Sequence, residues 1–540
     1  MIVVSKLLGV GGSHSEVRHQ RLIVVGLFVL SFALYLATMS RGITWLNNGM
    51  DGGDFISAAR AFGVPHPTGY PTYTLLLRVW GDLVAIGDHA FRANLLSAFL
   101  GALTVPLVYV AASRLVAMLP TPEVGGRASV RASAVVAALA FATSRVFWSQ
   151  STITEVHTLN ALFGAALLVL ALGVVRDISE SKSMIRTRVL MTFLLGFGLG
   201  NHTTLGIAAT PFALWVLWLV WKSFGWRGVL DWRPALGLFA GLSVYVYVPI
   251  AASAAPIVSW GAADSFEGFR WIVSATIYRQ YAFGLSSEFL PGRIATIAEL
   301  LFTQFTVVGT VIGIAGLTTI WSYSRAFVIA SVASVLAIAV YAVAYDTLDS
   351  FIYLISAFML FSLWLAVGVA VLGQGLRRLS GRMPSFKRFQ RTVYVGVFVV
   401  VVLIVPVWSM AFGWSEISLA GNDESKSYAQ ATVAVAAGGV VLAEEPELFT
   451  LVFQAQVANP ELDVMIVGPV MLAHDWYWDQ LVQYYGDRMP PARPDGFLDR
   501  VESVVAHNLG IVPIYSTDDD RDHHDLMNLV PEGDLFKVEF

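Results

Sequence analysis

Two carboxylates three residues apart, Asp51 and Asp54, flank a Gly-Gly pair near the start of the chain. A carboxylate held at a membrane face can act as a general base, taking the proton of an attacking hydroxyl, and such placement contributes about 10²–10⁴ in rate. A second carboxylate one helical turn away raises the proton affinity of one member of the pair, or orients it. Asp54 stands before Phe55-Ile56 and also reads as a helix N-cap, whereas Asp51 has no such structural explanation. Phe55, Ala58, Ala59 and Phe62 then follow at the spacing of one apolar helical face. The helix must end near Gly63, because Val-Pro-His66-Pro-Thr-Gly-Tyr70-Pro cannot continue it. The expectation is a rigid, polar active-site loop laid along the outer membrane surface, with His66 and Tyr70 as substrate-binding candidates.

Other polar groups recur where external ends of membrane helices are expected. Glu155, His157 and Asn160 open an apolar run, the latter two on one helical face; polar groups at such places line a bundle interior or a cavity. Glu155 is also explained by the helix dipole. Asn201 and His202 sit at a glycine-rich break, a feature that tends to line cavities. Arg270 and Arg279 lie in an aromatic external loop and could pair with a phosphate, since guanidinium matches its oxygens bidentately, or could touch lipid headgroups. Phe266, Phe269, Val273 and Ile277 there predict an interfacial amphipathic helix. Asp346 and Asp349 form another acidic external loop, with Asp349 also readable as an N-cap. The run Asp518 to Asp525 invites a metal reading, but solvated charge is the plainer one, and no metal ligand is assigned. Nucleotide-binding G-x-x-x-x-G-K-[ST], zinc-protease H-E-x-x-H and hydrolase G-x-S-x-G motifs are all missing from the sequence.

The elements that must position these groups are membrane helices. Of 540 residues, 56% are hydrophobic and 13% charged, against about 25% charged in soluble domains; mean hydropathy is +0.66. With no cysteine, disulfides and thiolate chemistry are excluded. Leu22 to Met39 is an apolar run about 27 Å long as a helix, enough for the hydrocarbon core. Ten more runs follow, at 93–117, 132–150, 156–175, 189–201, 204–222, 235–252, 297–321, 326–345, 351–373 and 393–413, the glycine-rich 189–222 stretch being readable as one broken span. With the N-terminus cytoplasmic, the alternate inside segments hold 20 Lys and Arg and the outside loops 8, the positive-inside pattern. Six basic residues between Arg377 and Arg391 read as a topological anchor.

From Trp414 onward the charge balance inverts, with 6 Lys and Arg against 22 Asp and Glu. Strands at Gly439–Leu442, Val464–Val467 and Ile511–Tyr515, with helices at Glu445–Val457 and His474–Tyr485, predict a small extracytoplasmic α/β domain. The fold class is therefore an α-helical multi-pass membrane protein. It divides into a cytoplasmic arm (1–21), a transmembrane domain (22–413, external loops 40–92 and 253–296) and a C-terminal α/β domain (414–540). Nothing suggests nucleic-acid binding.

The stretch Asp51-Gly-Gly-Asp-Phe-Ile, with Gly63-Val-Pro-His-Pro-Thr-Gly-Tyr-Pro-Thr-Tyr-Thr-Leu, resembles the signature of a membrane family long carried as a domain of unknown function. That family is grouped with the GT-C glycosyltransferases and includes a eukaryotic protein O-mannosyltransferase branch. Glu155-Val-His-Thr-Leu-Asn160, Gly200-Asn201-His202, Tyr247-Val-Pro249, Pro256 to Gly261 and Tyr345-Asp346-Thr-Leu-Asp349 match in order. The resemblance implies transfer of a sugar, mannose or another hexose, from a polyprenyl-phosphate donor to a hydroxyl of a protein, lipid or surface glycan outside the cytoplasm. It implies Asp51 as base, Asp54 as its partner, and Arg270 or Arg279 as neutraliser of the leaving phosphate. A divalent metal is admitted but not required. The expected location is a bacterial plasma (inner) membrane. A transporter or lipid-carrier flippase without catalysis is the rival reading; acids clustered in external loops and no repeated halves tell against it.

Overall fold

The computed structural model describes residues 14–119, 126–381, 387–518 and 528–539. Helices α1 (His14–Thr38), α2 (Gly52–Ala61), α3 (Pro71–Leu83), α4 (His89–Ala117), α5 (Arg127–Ala142), α6 (Arg145–Gln150), α7 (His157–Ser179), α8 (Ile185–Leu199), α9 (Thr204–Val229), α10 (Arg233–Leu242), α11 (Tyr247–Ser253), α12 (Phe266–Val273), α13 (Leu290–Tyr323), α14 (Arg325–Ala344), α15 (Ile355–Gly381) and α16 (Lys387–Ile417) build the membrane part. Helix α4 is the central post, packed against α1, α5, α7 and α15. Its Ala- and Val-rich faces allow close approach, while Tyr35, Phe141, Phe147 and Trp148 fill the core beside it.

Among the described residues, eight helical stretches are long and apolar enough to cross a membrane: Glu16–Thr38, His89–Ala117, His157–Ser179, Thr204–Val229, Arg233–Ser253, Leu290–Tyr323, Arg325–Ala344 and Ser350–Arg378. The chain is an integral membrane protein. Eleven spans are expected from the sequence, and two of the other three runs form shorter helices. The 132–150 run is cut at Thr143–Ser144 between α5 and α6, and α8 has only 15 residues. The 393–413 run lies within α16, a helix of 31 residues. The 189–222 stretch forms two helices with a turn between them. Part of the basic Arg377–Arg391 loop, and residues 519–525 of the acidic run, lie outside the described residues.

The segment after α1 differs from expectation. It is not an open surface loop: Gly52 to Ala59 and Gly63 to Thr74 are buried. The prolines do end the helix, at Phe62 with φ +56°. The following strand-like residues, however, are stitched to the outer loop by Val64 N–H to the Val258 carbonyl (3.1 Å) and Trp260 N–H to the Val64 carbonyl (3.0 Å). These bonds satisfy backbone groups that burial would otherwise leave unpaired. The expected helix over 266–277 stops at Val273, and a 3₁₀ turn, Thr276–Gln280, follows.

The C-terminal part contains α17 (Glu424–Val435), α18 (Leu448–Phe453), α19 (Asp475–Tyr485) and α20 (Phe497–Asn508) around a sheet. Its strands are β1 (Val440–Leu442), β2 (Met465–Val467), β3 (Ile514–Ser516), β4 (Asn528–Glu532) and β5 (Leu535–Glu539), in the order β2-β1-β3-β5-β4. The first three are parallel, with Val441 opposite Ile466 and Tyr515. They are buried apolar runs, as expected of parallel strands covered on both faces. The antiparallel β4–β5 hairpin and α20 were not expected.

This part seats directly on α2. A Cβ added at Gly53 would lie 1.9 Å from the Phe449 carbonyl oxygen, so only glycine lets α18 approach. Ala58, Val64, Trp260 and Ile272 share one apolar core with Val441, Phe449, Ile466 and Tyr515. Gly53→Ala must therefore push α18 away, since a backbone carbonyl cannot rotate aside. The expected cost is about 1–3 kcal/mol, seen as faster proteolytic cutting between residues 414 and 450. Wild-type cutting rates would show that the contact is not tight.

Candidate active site

The first turn of α2 carries both acids, with opposite environments. Asp51 occupies the cap position, but its side chain accepts no bond from the helix. Asp54, expected as an N-cap, is instead inside the first turn and 1% exposed. It caps nothing because stronger donors reach it from elsewhere. One oxygen accepts the His66 backbone N–H at 2.8 Å and faces His66 Nδ1 at 2.7 Å; the other accepts Trp260 Nε1–H at 3.2 Å. The other ring nitrogen of His66, Nε2, lies 3.5 Å from Asp51. Protein surrounds Asp51, yet its side chain is 42% exposed and so remains open to solvent.

Electrostatics follow from this order. Burial works against the His66 cation, but Asp51 and Asp54 outweigh it and push the ring up to about 9. Burial also raises Asp51; His66 opposes the rise, while Asp349 and Asp54 add to it. Asp51 and His66 therefore act as one titrating unit, each favouring the other's charge.

A second cluster lies beside the first. Tyr70, at φ +36°, sets its ring 5.0 Å from that of His66 and 5.9 Å from that of His202. His202 lies 5.4 Å from His157 and 5.7 Å from Tyr353. Its Nδ1 accepts the Thr204 N–H at 3.2 Å, which places the neutral ring's proton on Nε2. Burial, then the neighbouring His157 and His66, hold His202 well below the usual histidine range. Asn160 Nδ2 donates to Thr204 Oγ1 and Asn201 Nδ2 to the Val156 carbonyl, each at 3.2 Å. The amide oxygens of both asparagines are buried with no hydrogen-bond partner among the described residues. Glu155 is buried, accepts the Val156 N–H at 3.2 Å and lies 4.0 Å from His157 Nε2. Burial, then Asp51, keep its carboxyl well above the usual carboxylate range.

Not every expected residue joins. Arg270 and Arg279 are exposed, and among the described residues neither makes a hydrogen bond or ion pair with the cluster. Asp346 is exposed, its backbone N–H bound to the Tyr281 carbonyl at 2.9 Å. Asp349 precedes a 3₁₀ turn, Ser350–Leu354, but its side chain makes no cap bond; its charge is felt at Asp51 instead. The basic side chain at this turn is Arg293, whose NH1 donates to the Thr347 carbonyl (2.8 Å) and Ser350 Oγ (2.7 Å). Sequence reasoning missed Arg293, and also Tyr278, whose ring is 6.3 Å from that of His66. Trp260 lies within the matching Pro256 to Gly261 stretch, where no role was assigned to it. Glu445 was missed too: burial, then Asp51, raise its carboxyl, and His66 opposes the rise. No group of three or more His, Asp or Glu among the described residues is placed to hold a metal ion.

The chain is similar to several known proteins. A family model described as the protein O-mannosyl-transferase TMEM260 N-terminal domain matches residues 51–224, beginning at Asp51. The mouse protein O-mannosyl-transferase TMEM260 is 29% identical over 246 residues, 45% of this chain and 33% of the relative. The Dictyostelium discoideum protein of that name is 24% identical over 313 residues, 54% and 36% respectively. The chain thus spans about a third of the length of these curated relatives. Among solved structures, ArnT from Cupriavidus metallidurans bound to undecaprenyl phosphate superposes with a TM-score of 0.57 at 13% identity, covering 98% of both chains. Archaeal oligosaccharyltransferase AglB from Archaeoglobus fulgidus, in complex with an inhibitory peptide and a dolichol-phosphate, gives 0.54 at 11%, over 94% of this chain and 70% of that one. The fold is shared with ArnT. That likeness spans membrane helices and C-terminal domain together, whereas the family match stops at residue 224.

Proposed function

We propose that this chain is a GT-C glycosyltransferase of the O-mannosyltransferase-like group. It would move a hexose, such as mannose, from a polyprenyl-phosphate carrier to a hydroxyl on a protein, lipid or surface glycan. The reading carries the eleven-span topology, with cytoplasmic N-terminus and an external site and C-terminal domain. One observation carries it: an open carboxylate, Asp51, backed by a histidine that a buried acid and an indole hold in place. Support comes from relatives named as O-mannosyl-transferases and from a fold shared with proteins solved with undecaprenyl phosphate and dolichol-phosphate.

In the reaction the acceptor oxygen bonds to the anomeric carbon as the bond from that carbon to the phosphate oxygen breaks. Asp51 takes the acceptor proton, and the lipid phosphate leaves with the bonding pair. Asp54 does not touch substrate; it fixes His66, which in turn steadies Asp51 as an anion until reaction. Tyr70, Glu155, His157, Asn160, Asn201 and His202 bind sugar hydroxyls, the free amide oxygens of the asparagines accepting from them. Asp349 acts through its charge, felt at Asp51. The leaving phosphate meets a guanidinium: Arg293, which holds the turn bearing Asp349, is better placed than the exposed Arg270 and Arg279.

The test is transfer of radiolabelled sugar from a panel of polyprenyl-phosphate donors to host membrane extract by the purified full chain, with and without chelator. Label moving to acceptor supports the reading. Lipid flipping without transfer by protein that binds the donor would favour the carrier-flippase alternative and sink it.

The rate should also depend on pH in a defined way. Asp51 works only when ionised, and its proton affinity is raised, so the acid limb of kcat/KM should lie above the ordinary carboxylate range. The alkaline limb should fall near pH 9, as His66 loses its proton. The same proton affects stability. His66 is charged up to about pH 9 when folded but only to about 6.5 when unfolded, so its contribution is full below 6.5 and lost as pH rises through 9. A profile with an acid limb at ordinary carboxylate pH would remove the raised Asp51 from the mechanism.

A further inference from the structure

The C-terminal domain is joined to the site by more than packing. Strand β1 is the middle of the three parallel strands, flanked by β2 and β3. In open α/β sheets the crevice beyond the carboxyl ends of such strands is where ligands are met. Here the chain leaves β1 through Ala443, bonded to the Val467 carbonyl, and Glu444, whose carbonyl accepts the Leu448 N–H and starts α18. Glu445 lies between strand and helix, four residues before Phe449, whose carbonyl touches Gly53. The carboxyl end of β1 therefore abuts the first turn of α2, where Asp51 and Asp54 stand. Protein packs round Glu445 yet leaves its side chain open to solvent, and it makes no hydrogen bond or ion pair with any described residue. Its charge is nevertheless felt at His66 and Tyr278.

We propose that Glu445 is a positioning residue of the transfer site. Carried by the C-terminal domain, its carboxylate helps keep His66 as the imidazolium that steadies Asp51, so the site is complete only when that domain is seated on α2. The transfer role rests on the function proposed above; the effect on His66 does not. The groups facing His66 are Asp51 and Asp54 from α2, Tyr70 before α3, Tyr278 from the outer loop, His202 before α9, and Glu445. Of these, Asp51, Asp54 and Glu445 are the anions that favour its charge. The first two belong to the membrane part; Glu445 alone reports whether the C-terminal domain is in place.

The experiment is a pH titration of His66 by nitrogen-15 NMR in the full-length protein labelled at histidine, the signal being assigned by its loss in His66→Gln. Neither donor nor acceptor is needed, so the result stands whether or not transfer is ever observed. In Glu445→Gln the midpoint should fall by roughly half a pH unit, a typical effect of one charge across several ångströms of protein. Glu445→Asp, which keeps the charge, should restore most of it, and Asp51→Asn should lower it further. Where transfer is measured, the alkaline limb of kcat/KM should fall with the midpoint, with little change in donor KM. An unchanged His66 midpoint in Glu445→Gln overturns the proposal. So does an equal fall in Glu445→Asp, which would indicate a shape effect and not charge.

Discussion

Asp51→Asn is expected to lower sugar transfer by roughly 10²–10⁴ while leaving the protein folded and able to bind its lipid donor. The size follows from the role: an amide is isosteric with the carboxylate but cannot take the acceptor proton. Folding should survive because Asp51 caps nothing, is 42% exposed, and stands 3.5 Å from its nearest charged partner. Removing its anion should also lower the His66 midpoint from about 9, since Asp51 is the leading charge that raises it. The check is a side-by-side transfer assay with donor binding measured on the same preparations. Transfer at the wild-type rate would refute Asp51 as base and move the search to Asp349.

Asp54→Ala is expected to act through the fold. The substitution leaves His66 Nδ1, the His66 backbone N–H and Trp260 Nε1 facing a buried methyl group. Breaking a buried charged pair by removing one partner costs about 3–5 kcal/mol. The expected result is a fall of several degrees in apparent melting temperature in detergent, with transfer lost as well. Asp82→Ala is the contrast: Arg60 and Asp82 pair at 2.6 Å but are 34% and 54% exposed, and such pairs are worth under about 1 kcal/mol. Equal stability of Asp54→Ala and wild type would show that Asp54 does not anchor the loop.

The parts of the site legible in the sequence are those written in one short stretch. Asp51, Asp54, His66 and Tyr70 lie within 20 residues, and local chemistry fixed their order. Their roles were less legible, because whether Asp54 caps a helix depends on Trp260, some 200 residues away. Glu155, His157, Asn160, Asn201 and His202 were found as polar interruptions in apolar runs, and the fold does bring them together. Arg270 and Arg279 were chosen by charge and neighbourhood, which do not say which way a loop faces. Glu445 gave no signal beyond a place in an acidic region; only the Gly53–Phe449 contact shows why it matters. The β4–β5 hairpin escaped notice because β4 is largely exposed and its mixed polar residues show no clean alternation.

The seat of α18 on α2 has a consequence for biogenesis. Phe449 leaves the ribosome about 400 residues after Gly53. At roughly 5–20 residues per second the interval is tens of seconds. Throughout it the first turn of α2 lacks its cover, and the surface that will receive Phe449 stays exposed. A chain cut before α18 should therefore leave the first turn of α2 uncovered, and under the function proposed above its transfer site would be incomplete.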